Sequence, residues 1–133
     1  MSTPTCVEIK QEWDIVHARQ QGRQLAKDLG FGHVDQARIT TAISELARNI
    51  YLYAKHGFIT VEQFRVKGKT GLKIIAKDDG PGIKDVRKAM EDGFTTSGGL
   101  GAGLPGVKRL MDEFNLETNV GEGTTIMALK FLR

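Results

Sequence analysis

Glu45 and Asn49 are the first residues whose types and spacing point to chemistry. Four apart on a helix, they share one face, about 40° from each other around the axis. They flank an apolar stripe, at the rim of a core where a pocket can form. Taken alone, the spacing favours the plainer reading of a solvated rim pair. Asp78 is the second candidate. Counting by twos from Leu72 through Ile74 and Ala76 puts it on the inward face of a strand. An inward carboxylate needs a donor, because burying an unpaired polar group is costly. An Asp that opens a turn is the common alternative. Gly80 and Gly82 follow at alternate positions, where backbone can come close to a ligand. The third element is Gly98-Gly99-Leu100-Gly101-Ala102-Gly103-Leu104, which opens into a helix. Successive backbone amides with a helix N-terminus behind them make a phosphate cradle. No lysine or arginine lies between Glu91 and Val107. Bound phosphate would there be neutralised by amides, by the hydroxyls of Thr95, Thr96 and Ser97, and by a metal ion.

Elements of definite kinds must position these residues. Thr5 to Lys10 reads as a strand. A helix follows from about Glu12 to Leu29, with Ile15, Ala18, Gly22, Leu25, Ala26 and Leu29 as its stripe. A second helix runs from about Val34 to Ala54 and buries Ile39, Ala42, Ile43, Leu46, Ala47 and Ile50. Strands are predicted over Phe58 to Val66 and Gly71 to Asp78. Lys84 to Glu91 forms at most two helical turns, and Asp92 to Gly101 reads as loop. The span from Ile83 to Gly98 is expected to act as a lid. A helix over Leu104 to Phe114 carries Val107, Leu110, Met111 and Phe114 on one side. Strands over Leu116 to Val120 and Thr124 to Leu132 close the chain. The order does not alternate as stacked βαβ units do. It predicts an α+β two-layer sandwich, helices over one face of a mixed, mostly antiparallel sheet. The last strand is apolar on both sides, Ile126 and Ala128 on one and Met127, Leu129 and Phe131 on the other. One side packs under helices. The other meets either a protein partner or the chain's own N-terminal segment.

The 133 residues suit a single domain over 1–133. Hydrophobic residues at 40% and charged residues at 26% describe a folded chain, not a disordered one. A net charge of +3, with basic residues scattered, argues against a nucleic-acid partner. A lone cysteine, Cys6, excludes an internal disulfide framework and a cysteine-based zinc cluster. A reducing, cytoplasmic setting is expected. Phe94 to Val107 is the longest uncharged stretch, too short and glycine-rich to span a bilayer, and Met1 to Lys10 has no apolar run like that of a signal peptide. Ten of the sixteen glycines fall between Gly80 and Gly123, where backbone must approach something closely.

Familiar glycine motifs fail on context. Gly101-Ala-Gly103-Leu-Pro-Gly106 matches a dinucleotide fingerprint in letters, but no strand precedes it and no βαβ unit surrounds it. Gly68-Lys69-Thr70 lacks the earlier P-loop glycine, because position 63 is Gln63. The V-A-I-K, H-R-D and D-F-G elements of eukaryotic-type kinases are absent. His17, His33 and His56 are scattered, and no glycine-flanked serine starts a hydrolase triad.

Together the candidates resemble the ATP-binding superfamily shared by gyrase, histidine kinases and mismatch-repair ATPases. Glu45-Leu-Ala-Arg-Asn49 resembles its E-x-x-x-N box, and Asp78-Asp-Gly80-Pro-Gly82 its D-x-G-x-G box. Gly99-Leu-Gly101-Ala-Gly103-Leu104 resembles the second glycine box, and Gly121-Glu-Gly123-Thr124 the last. Each box alone is weak; four in order at this length are strong. The segments Ile39 to Ala54 and Gly93 to Phe114 are similar to those of anti-sigma-factor-type serine kinases, in particular the stressosome switch kinases.

The resemblance implies a Mg-ATP-dependent protein-serine/threonine kinase. Asp78 would hold the adenine amino group, with Thr124 nearby and Gly80 and Gly82 shaping the turn. Asn49 would ligate Mg²⁺. The amides of Gly99, Gly101 and Gly103 would contact phosphate, and Glu45 would act as base. No motif assigns a cation to the γ-phosphate, although Arg48, Arg87 and Lys108 are available. Implied partners are STAS-domain stressosome proteins as substrates, and a metal-dependent serine phosphatase activated after release; no membrane is implied. The alternative is a nucleotide-gated anti-sigma factor. A detached histidine-kinase domain ranks lower, since only about ten residues precede the first helix. A gyrase-type ATPase needs a transducer domain.

Overall fold

The computed structural model describes residues 4–91 and 103–133. Strand β1 (Thr5–Ile9) leads into helix α1 (Trp13–Leu29), which ends where Gly30 turns left-handed at φ 100°. The amide of Phe31 then closes back on the Ala26 carbonyl at 3.0 Å. Helix α2 (His33–Asn49) runs into a π-helical turn, Ile50–Ala54, closed by the Lys55 amide on the Ile50 carbonyl at 2.8 Å. The long helix expected to Ala54 is thus regular to Asn49 and widened beyond it. Strands β2 (Gly57–Val66) and β3 (Lys69–Asp78) form a hairpin. A short helix α3 (Val86–Ala89), helix α4 (Gly103–Leu110), and strands β4 (Glu113–Asn119) and β5 (Gly123–Phe131) follow.

The sheet order is β1-β2-β3-β5-β4, and all four pairings are antiparallel. The expected α+β layering is present, and no parallel pair occurs among the described strands. The core lies between sheet and helices. Ile59, Leu72, Ile74 and Ala128 meet Ile39, Ile43 and Leu46 of α2 and Val107 of α4, all at most 1% exposed. Burying a side chain of this size stabilises by about 1.5–3 kcal/mol. Helices α1 and α2 touch closely at Gly22, where an added Cβ would run into the Ile43 side chain.

Two expectations change. Helix α4 ends at Leu110, so Phe114 belongs to β4, opposite Ala128. The reason is a corner built from Asp112. Its amide donates to the Leu129 carbonyl at 2.8 Å, and its carboxylate accepts the Phe131 amide at 2.7 Å. Lys130, only 4% exposed, donates to the Leu110 carbonyl at 3.1 Å and lies 3.6 Å from Asp112 and 3.8 Å from Asp35. Sheet pairing thereby outcompetes the helical stripe. The second change concerns the outer face of β5. Met127, Leu129 and Phe131 are half-buried, but the described N-terminal residues do not cover them, because β1 extends the sheet edge beside β2. Phe64 meets Phe131 edge-on at 5.5 Å, and the Lys69 ammonium sits 5.6 Å from that ring. Among the described residues, no helix is long and apolar enough to cross a membrane.

Burial alone would raise the Asp112 carboxyl, but the Phe131 amide, Lys130 and Arg133 outweigh it and hold the group below its usual value. A depressed carboxyl adds stability above its unfolded pKa of about 3.9, and loses it as pH falls through the lower folded value. Urea unfolding at stepped pH should show a steeper acid loss for wild type than for Asp112→Asn below about pH 4.

Candidate functional site

Helices α2, α3 and α4, strands β3 and β5 and the turn after β3 meet around a cavity of about 450 Å³, within the range of small-molecule sites. One wall is the inward face of α2 and the π-helical turn: Leu46, Asn49, Ile50, Tyr53 and Ala54. These recur at helical spacing, so one face serves the core and then the cavity. The sheet supplies Ala76 and Asp78 from β3 and Thr124 and Ile126 from β5. Pro81, Gly82 and Ile83 come from the turn after β3, Ala89 from α3, and Gly103 and Leu104 from α4. The walls are largely apolar, with few polar groups. That composition suits a flat heterocycle anchored at one edge.

Asp78 is the last residue of β3 and pairs across the sheet with Thr124 on one side and Gly57 on the other. Its Oδ1 accepts the Gly80 amide at 2.9 Å. Burial pushes the carboxyl above its usual value, and the amides of Gly80 and Thr124 offset this only in part. The group is thus partly desolvated and lacks a cationic partner among the described residues, which suits it to accept hydrogen bonds from a ligand.

Close packing around this carboxylate accounts for the glycines. At Gly80, an added Cβ would stand 2.6 Å from the Ala54 Cβ. Gly82 has φ 77°, and a Cβ there would run into the Asn119 carbonyl. Gly123 has φ 116°, and a Cβ there would strike the Asp78 carbonyl. Both angles lie where only glycine sits without strain. The turn after β3 is clamped onto the β4–β5 hairpin, the Gly121 amide donating to the Pro81 carbonyl at 2.8 Å.

Of the residues singled out from sequence, the structure brings Asn49, Asp78, Gly82, Gly103 and Thr124 onto one cavity. Gly80 stands behind it as donor to Asp78. Glu45 lies one turn before Asn49 and is 1% exposed, so it is not a solvated rim carboxylate. Helix α4 packs against α2, a contact that the spacing along one helix does not reveal. Gly99 and Gly101, with Thr95, Thr96 and Ser97, lie outside the described residues, as does the lid span beyond Glu91. Arg87 and Lys108 are exposed, and Arg48 is half-buried. No group of three His, Cys, Asp or Glu among the described residues is placed to hold a metal ion.

Sequence reasoning missed Tyr53 and Thr118, and named Ile83 only as the start of a lid. The Thr118 hydroxyl accepts the Ile83 amide at 2.9 Å, donates to the Gly123 carbonyl at 3.1 Å, and meets the Thr124 hydroxyl at 2.9 Å. Its alternation with Leu116 along β4 was the available signal.

Residues 34–132 match the model of the histidine kinase-, DNA gyrase B- and HSP90-like ATPase family. The serine/threonine-protein kinase RsbT of Bacillus subtilis (strain 168) is 71% identical over 133 residues, covering 100% of both chains. An anti-sigma F factor of Caldanaerobacter subterraneus subsp. tengcongensis is 36% identical over 102 residues, 72% of this chain and 70% of that one. A crystal structure of the RsbU and RsbW domains of a Mycobacterium tuberculosis protein superposes with a TM-score of 0.67 at 19% identity. It covers 99% of this chain and 33% of that one, a likeness of fold.

The raised Asp78 carboxyl costs the protein stability at pH values above its unfolded pKa, because the folded state binds the proton more tightly. Thermal denaturation at pH 7 should find Asp78→Asn, a neutral isostere, at least as stable as wild type.

Proposed function

The chain belongs to the histidine kinase-, DNA gyrase B- and HSP90-like ATPase family and is a protein-serine/threonine kinase within it, and on that premise we propose that it uses Mg-ATP to phosphorylate STAS-domain stressosome proteins. Release from those substrates then frees it to bind and activate a metal-dependent serine phosphatase, as a cytoplasmic partner switch. The full-length identity to a serine/threonine kinase supports the reaction class. The observation that carries the nucleotide reading is the apolar cavity with a partly desolvated carboxylate, Asp78, on its wall and no cationic partner for it among the described residues.

In this reading residues 1–133 act as one ATP-binding kinase domain. Asp78 accepts from the adenine amino group, beside Thr124. Gly80 and Gly82 hold the turn that brings backbone to the base. Asn49 offers its amide oxygen to Mg²⁺, a hard cation that keeps several waters and needs few protein ligands. The amides of Gly103, and of Gly99 and Gly101, take phosphate oxygens. Glu45, one turn from Asn49, receives the proton of the acceptor hydroxyl. ATP supplies the phosphoryl group, and the chain's own task is to position it and neutralise charge. The anti-sigma F factors support a second reading, direct sequestration of a sigma factor. Their partial coverage, against the full-length kinase match, ranks it lower.

Isothermal titration with Mg-ADP should show binding by wild type and loss of about tenfold or more in Asp78→Asn. Equal binding by both would remove the adenine role of Asp78. Glu45→Ala should still bind Mg-ADP within a few fold, yet transfer phosphate to a STAS-domain protein about 10²–10⁴ times more slowly. Unchanged transfer would remove Glu45 as base. A stable complex with a sigma factor, and none with a phosphatase, would favour the second reading.

A further inference from the structure

The three hydrogen bonds of Thr118 fix more than a turn. A hydroxyl has one proton to give and two lone pairs to receive with. The Gly123 carbonyl can only accept, so the Thr118 proton points there, at 3.1 Å. The Ile83 amide can only donate, so it occupies one lone pair of Thr118, at 2.9 Å. With all three contacts made at once, the remaining one, 2.9 Å to the Thr124 hydroxyl, carries the proton of Thr124. Thr124 is 8% exposed and lines the cavity. With its proton committed to Thr118, all that its oxygen can offer a ligand is acceptor capacity. Asp78, its cross-strand neighbour, is likewise an acceptor when ionised.

We propose that Thr118 is a specificity-determining positioning residue: it holds the Thr124 hydroxyl as an acceptor, so that this edge of the cavity selects a ring amine over a ring carbonyl. An amine brings two N–H donors to two acceptors. A carbonyl at the same position would set lone pairs against lone pairs and leave buried groups unpaired, which polar sites reject strongly. The same hydroxyl anchors Ile83, which also lines the cavity, so the wall after β3 and the polarity of Thr124 are set by one atom. Without that atom, Thr124 is free to turn its proton toward the cavity and receive a carbonyl. This inference rests on the proposal that the cavity binds a purine nucleotide.

The test compares Mg-ADP with Mg-IDP, which carry an amine or a carbonyl at the same ring carbon and, beside it, a bare or a protonated ring nitrogen, by titration calorimetry on wild type, Thr118→Val and Thr118→Ser. Wild type and T118S should prefer ADP by similar ratios, because serine keeps the hydroxyl. In T118V the ADP-to-IDP ratio should narrow by about fivefold or more. A residue that only supports the fold would weaken both nucleotides together and leave their ratio intact. An unchanged ratio in T118V therefore overturns the inference while leaving the nucleotide site standing. Wild type that binds neither nucleotide would instead remove the purine reading, and this inference with it. Should T118V fail to fold, Thr118→Ala is read by the same ratio.

Discussion

The antiparallel register of β3 against β5 sets Asp78 beside Thr124, and the cavity depends on that pairing. Forty-odd residues separate the two in sequence, and no local preference could bring them together. Once paired, they place an acidic strand end next to a hairpin whose glycine, Gly123, lets the Asp78 carbonyl approach without a Cβ between them. The turn after β3 is then held against the β4–β5 hairpin by Gly82 and by the Gly121 amide. Two glycine boxes distant in sequence thus form one surface, and their glycines answer to one steric constraint.

Helix α2 supplies the opposite wall, and its behaviour follows from position along one face. Ile39, Ile43 and Leu46 fill the core. Asn49, Ile50, Tyr53 and Ala54 continue that face along the cavity. The π-helical turn begins at this point. Such turns occur often at functional sites, where they widen a helix locally. A polar amide at Asn49 is tolerable there because it borders the cavity instead of the core.

The site carries unfavourable terms that the core supports. Asp78 is kept partly out of water against its preference, and several glycines hold backbone angles closed to other residues. The buried ion cluster around Lys130 lies elsewhere, at the corner joining α4, β5 and the N-terminal turn of α2. Breaking such a cluster by removing one partner is costly, because a buried charge is then left uncompensated. Its place in the fold fixes where α4 ends, and so steadies the helix whose first residues reach the cavity.

Element order, the inward phase of Asp78 and the close-packed glycines after it were legible in the sequence. They depend on local periodicity and turn chemistry, which neighbouring residues encode. Composition likewise told a folded chain. The burial of Glu45, the end of α4 at Leu110, the burial of Lys130 and the hub at Thr118 were decided by tertiary structure. Each involves groups from elements far apart in the chain: α4 against α2, Asp112 with Phe131, Lys130 with Asp35, Thr118 with Ile83. A helical or strand stripe reports which way a side chain faces. It does not report what stands opposite, and for a polar group that partner decides whether burial stabilises the fold or costs it.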